Sequence, residues 1–143
     1  YIQEVGELIL RESCNFFKRL DDLNILKNTK VSVNISPSQI IDYDLVSLVK
    51  KVLEDTKINP HCLELEIVER TLLGDNLKVM EVLSEIRKLN VGIVLDDFGT
   101  GYSSLSYLKL FPFSKLKIDK SFISNIDSCK KDQSIVNSII SSL

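Results

Sequence analysis

Apolar residues recur along this chain with two different periods. Helical spacing predicts amphipathic helices over residues 2–20, after Asp42 or Asp44, after Gly74, over residues 102–110, and after Asp132 as the N-cap. Alternation with a period of two predicts strands over residues 31–36, 62–67, 92–96 and 116–119. Pro37 ends the first strand, and we expect Ser38 to cap a short turn after it.

Helices and strands alternate throughout, which predicts parallel β/α units. Four strands with their helices make roughly half of an eight-stranded β/α barrel, a fold that typically needs about 250 residues. A doubly wound open sheet is the structural alternative. The fold class is therefore expected to be α/β, a partial TIM-like (β/α)₈ barrel, with residues 1–143 forming a single incomplete domain.

Each predicted strand has one aliphatic face and carries a polar residue on the other face near its carboxyl end. These polar residues are Asn34, Glu66, Asp96 and Lys117. In a barrel that second face is the interior, and active sites lie at its carboxyl-terminal mouth. Amide and carboxylate oxygens suit Mg²⁺ or Mn²⁺ better than zinc. Taken singly, polar residues at strand ends are usually solvated or capping groups, but the joint pattern over four strands favours a metal-dependent phosphate site.

Two adjacent carboxylates, Asp96 and Asp97, end the third strand and precede a glycine-rich loop. With Glu66 they can hold two metal ions, and paired ions about 3.5–4 Å apart stabilise both oxygens in phosphodiester hydrolysis. Lys117 can orient an attacking water or screen phosphate charge. The alternative is an ordinary strand-to-helix loop with Asp97 as a cap.

Composition narrows the function classes. The chain has 143 residues, of which 44% are hydrophobic and 27% charged, and its net charge is -2. Its lysines are scattered, so no basic face predicts a polynucleotide partner. No apolar run approaches the roughly 18 residues of a membrane span. The three cysteines, Cys14, Cys62 and Cys129, have no paired spacing, which favours a reducing, cytoplasmic compartment, and His61 is expected at the surface.

The assembled motifs resemble those of the EAL-domain family of cyclic-di-GMP phosphodiesterases. The resemblance runs along the whole chain and is strongest over four stretches: Val33–Ser36, Leu65–Glu69, Leu95–Leu105 and Leu116–Phe122. The glycine loop is highly specific to this family. The other three are weak singly and strong in this order.

The resemblance implies a modified (β/α)₈ barrel that opens one phosphodiester of cyclic di-GMP to give the linear dinucleotide. It implies that Asn34, Glu66, Asp96 and Asp97 are ligands of Mg²⁺ or Mn²⁺, with two ions in the complete domain. Lys117 and Asp119 are implied as catalytic residues, Lys117 by positioning the attacking water. Glu69 is implied to brace the glycine loop. The implied partners are cyclic di-GMP, a second copy in a homodimer, and additional signalling domains in the parent protein, which can itself be anchored to a membrane.

Two family motifs are absent from these 143 residues: the Glu-Ala-Leu of the first strand and the glutamate of a later strand. Substrate-binding residues are therefore not assigned. The alternative function is a non-catalytic cyclic-di-GMP-binding or regulatory module. We expect residues 1–143 alone to be inactive, and their open sheet edges to favour strand exchange or dimerisation.

Overall fold

The computed structural model describes residues 2–73, 76–99 and 111–141. The described helices are α1 (Ile2–Asp22), α2 (Pro37–Ile41), α3 (Leu45–Thr56), α4 (Asn76–Lys88), α5 (Lys120–Ile123) and α6 (Lys130–Ile140). The strands are β1 (Val31–Asn34), β2 (Leu63–Val68), β3 (Gly92–Phe98) and β4 (Lys115–Ile118). Short 3₁₀ turns cover Pro60–Cys62 and Glu69–Leu73. The helix predicted over residues 102–110 lies outside the described residues.

The four strands form one parallel sheet in the order β1-β2-β3-β4. Asn34 pairs with Glu66, and Glu66 pairs with Val94 on its other side. This arrangement confirms the prediction of successive parallel β/α units. Because parallel strands run in the same direction, their carboxyl ends share one edge of the sheet, and the predicted polar residues come together there.

The aliphatic face of the sheet packs against the helices, as the alternating pattern predicts. Leu63, Leu65, Ile67, Ile93 and Leu95 are all buried in the core cluster. The helices contribute buried residues at helical spacing: Leu10, Cys14 and Phe17 from α1, Val49 and Val52 from α3, and Val79, Leu83 and Ile86 from α4. The polar residues of β2 therefore lie on the opposite, inward face.

The first strand ends earlier than predicted, and the prediction of Ser38 as a cap is wrong. Ser36 is the N-cap of α2, and Pro37 occupies the first turn of that helix. Ser36 and Gln39 form a reciprocal capping box, in which each side chain accepts a hydrogen bond from the backbone N–H of the other. Of the two caps predicted for the next helix, Asp44 is the one used, because its carboxylate accepts from the Ser47 N–H at 3.0 Å.

The last helix also begins earlier than predicted. Cys129 is the N-cap of α6 and makes no side-chain capping bond, whereas Asp132 lies in the first turn. An acidic residue there still interacts favourably with the helix dipole. Asn90 follows α4 in a left-handed conformation with φ 65°. In the described part of the chain, no helix has the length and apolar character needed to cross a bilayer.

Candidate metal and phosphate site

Three of the predicted site residues meet on the inward face of the sheet. The ammonium of Lys117, on β4, lies 2.6 Å from Glu66 Oε2 and 3.5 Å from Asp96 Oδ2. The Glu66 side chain is only 8% exposed, whereas that of Lys117 is 41% exposed. One cation therefore already bridges carboxylates from two neighbouring strands, close to solvent.

Asn34 stands beside Glu66 on the next strand. The two residues are register partners, and the N–H of Ile35 donates to the carbonyl of Glu66 at 2.8 Å. Asn34 is exposed, while Ile35 is 4% exposed and anchored in the core. We call Asn34, Glu66, Asp96 and Lys117 the carboxyl-end cluster.

A β-bulge sets the directions of the two adjacent aspartates. Between the pairs Leu95–Leu116 and Phe98–Ile118, β3 contains one residue more than β4. Asp97 has a left-handed φ of 54°, and its N–H donates to Asp96 Oδ1 at 3.0 Å. In a regular strand adjacent side chains point to opposite faces, but a bulge redirects them. Asp97 is thus exposed at the strand end instead of being buried under the helices.

Lys117 is held in its charged form. The hydrogen bond to Glu66 raises the pKa of Lys117 above its ordinary value, and the charges of Glu66 and Asp96 add to this effect against the opposing effect of burial. A lysine with a raised pKa is an ammonium at neutral pH. It can donate hydrogen bonds to a water or a phosphate oxygen, but in this state it cannot accept a proton.

Asp119 lies just after the end of β4 and serves as the N-cap of α5. Its Oδ1 accepts from the N–H of Ser121 at 2.8 Å, and the hydrogen bonds from Ser121 lower the pKa of Asp119. The backbone N–H of Asp119 donates to the carbonyl of Phe98 at 3.1 Å, which ties this turn to the end of β3. The observed interactions of its carboxylate are therefore those of a cap.

Glu69 reaches the first glycine of the loop after β3. Its Oε2 accepts from the N–H of Gly99 at 2.9 Å, and Glu69 is 2% exposed. Gly99 has a left-handed φ of 103°, and a Cβ there would lie 2.6 Å from the ring of Phe122. Both constraints explain why glycine occupies this position. The remainder of the predicted loop, residues 100–105, lies outside the described residues.

The oxygen atoms of the carboxyl-end cluster are suitable ligands for a hard cation, although they are not arranged as a complete coordination site. Among the described residues, no three His, Cys, Asp or Glu side chains are grouped closely enough to hold a metal. The ammonium of Lys117 instead sits between Glu66 and Asp96. Since carboxylates and an amide supply only oxygen donors here, the cluster fits Mg²⁺, Mn²⁺ or Ca²⁺ and not a thiolate-bound metal.

A second charged group on the same face was not predicted from the sequence. Glu64, two residues before Glu66, is 1% exposed, and its carboxylate accepts from Lys30 at 2.9 Å and from Lys115 at 2.7 Å. Ser32 lies 3.5 Å from the same carboxylate. Burial raises the pKa of Glu64, but the two lysines lower it by more, so the net shift is downward. We call Lys30, Ser32, Glu64 and Lys115 the amino-end cluster.

The period-two alternation was enough to place Glu64 on the inward face, because Glu64 and Glu66 are two residues apart on the same strand. Its partners were hidden because Lys30 lies 34 residues and Lys115 lies 51 residues away along the chain. Gln39 was also missed, although a serine followed three residues later by glutamine is a capping-box signature.

Comparison with known proteins places the whole chain in one family. The family model described as "EAL domain" matches residues 1–143. A Pseudomonas aeruginosa protein named "Bifunctional diguanylate cyclase/cyclic di-GMP phosphodiesterase MucR" is 38% identical over 140 residues, which are 97% of this chain and 20% of that protein. "Cyclic di-GMP phosphodiesterase NbdA" of the same organism is 35% identical over 97% of this chain and 18% of its own length.

Solved structures agree with the sequence comparison. The structure described as "PaMucR Phosphodiesterase, c-di-GMP complex" superposes with a TM-score of 0.90 at 36% identity, covering 99% of this chain and 57% of that chain. The EAL domain of Mycobacterium smegmatis DcpA gives a TM-score of 0.88 at 32% identity, covering 97% and 62%. The sheet is therefore part of a TIM-like barrel, which confirms the predicted fold class and excludes the doubly wound alternative.

Proposed function

Because the chain belongs to the EAL-domain family, we propose that it contributes the metal-binding and water-positioning side of a cyclic-di-GMP phosphodiesterase. The observation that carries the proposal is the bridge from Lys117 to Glu66 and Asp96 at the carboxyl ends of adjacent parallel strands. In β/α barrels, that end of the strands is where active sites form.

The proposal concerns a complete domain, of which this chain is a part. The chain spans 57% of the solved MucR chain and about one fifth or less of the curated relatives named above. We infer that residues 1–143 form one incomplete EAL domain of a larger cytoplasmic protein with further signalling domains, which acts as a homodimer and has no polynucleotide partner.

Asn34, Glu66, Asp96 and Asp97 are the residues that would hold Mg²⁺ or Mn²⁺, with two ions in the complete domain. Such ions polarise the phosphoryl group and generate a hydroxide nucleophile at neutral pH. The bulge at Asp96 and Asp97 supports this assignment, since it presents consecutive carboxylates at one strand end. Lys117 already offsets the charge of the buried Glu66 carboxylate from 2.6 Å away, so a metal ion held by Glu66 would share that carboxylate with the ammonium.

Lys117 would hold the attacking water and screen the phosphate charge. Its raised pKa supports a donor role and argues against a role as general base. Asp119, whose observed contact is a helix cap, would act through the position of the turn that follows Lys117. Glu69 would fix the start of the glycine loop through the N–H of Gly99.

The test is hydrolysis of cyclic di-GMP by the complete domain with Mg²⁺ or Mn²⁺, followed by chromatography of the linear product. We expect turnover that disappears with a chelator and in a Lys117→Met variant. A folded complete domain that binds cyclic di-GMP without cleaving it would support a binding module instead. Residues 1–143 alone are expected to turn over little or no substrate, and robust turnover by them would contradict the incomplete-domain inference.

A further inference from the structure

Helix α2 follows β1 closely, and its first turn is held by a capping box that is unusually buried. Oε1 of Gln39 accepts two hydrogen bonds from Ser36, one from its backbone N–H and one from its hydroxyl, both at 2.9 Å. In return, the backbone N–H of Gln39 donates to Ser36 Oγ at 3.4 Å. A capping side chain normally lies at the surface, yet Gln39 is 7% exposed. Its amide is thus held from two sides, by Ser36 and by the elements packed over it.

One of those elements is α1, which approaches the amide of Gln39 through a glycine. A Cβ on Gly6 would lie 2.1 Å from Gln39 Nε2 and 2.9 Å from its Cδ. Gly6 does not have the left-handed backbone that explains other glycines, and glycine inside a helix is destabilising relative to alanine. The close approach to Gln39 is therefore the physical reason for glycine at this position.

The capping box that holds Gln39 begins two residues after a proposed metal ligand, Asn34. Ser36 follows Asn34 by two residues, and the intervening Ile35 donates its N–H to Glu66 at 2.8 Å. The backbone after Asn34 is therefore fixed at two consecutive amides, one bound to Glu66 and the next to Gln39. Within the described part of the chain, no hydrogen bond involving the Asn34 side chain is seen, so its direction depends on this backbone.

We propose that Gln39, which packs against Gly6, is a positioning residue that orients Asn34 toward the proposed metal site. The inference rests on the proposed function, in which Asn34 is a metal ligand. Removing a hydrogen-bond partner of a metal ligand commonly lowers metal affinity by about 10–100-fold, and Gln39, which acts through the backbone at Ser36, is expected to reach the lower end of that range. Helix α1 thereby participates in metal binding although it contributes no ligand.

The test is a titration of the complete domain with Mn²⁺, monitored by loss of the free-ion EPR signal, together with urea unfolding of each variant. Gln39→Ala is expected to weaken Mn²⁺ binding by about 10-fold. Gln39→Glu keeps an acceptor for Ser36 and a valid capping box, so it is expected to retain the wild-type affinity. Gly6→Ala keeps every hydrogen-bonding group but displaces Gln39, and it is expected to weaken binding even if Gln39→Ala does not fold.

Asp44→Ala is the matched control, because it removes the side-chain cap of the next helix without touching β1. It should lower the urea midpoint as Gln39→Ala does and leave Mn²⁺ affinity unchanged. If Asn34→Ala weakens binding while Gln39→Ala and Gly6→Ala do not, the positioning role is overturned and the proposed function stands. If the wild type and Asn34→Ala bind Mn²⁺ equally, or neither binds, both are overturned.

Discussion

The two charged clusters on the inward face differ in how their charges balance, although they lie two residues apart on the same strands. In the amino-end cluster, one buried carboxylate, Glu64, accepts from two ammonium groups. In the carboxyl-end cluster, the ammonium of Lys117 is shared by two carboxylates, Glu66 and Asp96. The first cluster is saturated with cations, whereas the second has an excess of carboxylates.

We interpret this difference as one between a structural role for the amino-end cluster and the proposed functional role of the carboxyl-end cluster. A buried carboxylate with two cation partners has its desolvation cost offset and needs nothing further. Carboxylates in excess of their cation partners repel one another, and they accept a metal ion readily. In β/α barrels generally, residues at the amino ends of the strands stabilise the fold, whereas active sites form at the carboxyl ends.

The strongest test of the comparison is to remove one carboxylate from each cluster. In the complete domain, Glu66→Gln is expected to lower kcat/KM for cyclic di-GMP about a thousandfold, or about 4 kcal/mol, because the proposed function makes Glu66 a metal ligand. Its thermal midpoint should change little, since one member of a repelling set is removed. Steady-state hydrolysis and thermal unfolding measure both quantities, and near-wild-type turnover in Glu66→Gln would contradict the assignment.

Glu64→Gln is expected to do the reverse. It leaves Lys30 and Lys115 without their shared partner, and it should lower the free energy of unfolding by about 1–3 kcal/mol. The low end allows for the half-exposed ammonium groups of both lysines. Urea unfolding at pH 7 gives the value. A loss of metal affinity in the folded Glu64→Gln variant would show that the two clusters are not separable.

The pH dependence sharpens the same contrast. Since the pKa of Glu64 is lowered in the folded state, its contribution to stability is present above the unfolded value of 4.5 and is lost as pH falls through the folded value. The stability difference between wild type and Glu64→Gln should therefore be constant near pH 7 and shrink below pH 4.5. Urea unfolding at several pH values measures it, and a difference that grows on acidification would contradict the sign.

Local patterns were sufficient to predict the strands and the residues on their inward face. Alternation in β2 placed Glu66 opposite the core-facing Leu65 and Ile67, because side-chain direction in a strand depends on parity alone. The bulge at Asp96 and Asp97 was not predictable in this way, since it is defined by the register of β3 against β4. A local pattern therefore could not show that the regular alternation of β3 is interrupted at the two adjacent aspartates.

Contacts between distant segments were out of reach for a related reason. The approach of Gly6 to Gln39 depends on how α1 packs over α2, and local spacing says nothing about that packing. The wrong caps at Ser38 and Asp132 arose because both residues lie within the first turn of their helices, where a residue type that favours N-caps does not by itself mark the start of a helix. Tertiary geometry decides among them.

The smallest expected effect compares equivalent lysines of the two clusters. Lys117→Met removes the ammonium between Glu66 and Asp96, and in a chelator it should cost about 1 kcal/mol of unfolding free energy. Because that ammonium competes with a metal for the Glu66 oxygens, the variant should bind Mn²⁺ about fivefold more tightly than wild type, a gain of about 1 kcal/mol. Saturating Mn²⁺ should then restore its stability by mass action.

Lys115→Met is the matched control, since Lys115 lies two residues earlier on the same strand and pairs with Glu64. The Lys115→Met variant should lose a similar amount of unfolding free energy. Mn²⁺ should stabilise this variant no more than it stabilises the wild type, because Glu64 still pairs with Lys30. Mn²⁺ titrations of both variants, with unfolding measured at zero and saturating metal, decide the matter. Equal responses of the two variants to Mn²⁺ would mean that charge balance does not distinguish the clusters, and the functional assignment of the carboxyl-end cluster would lose its physical basis.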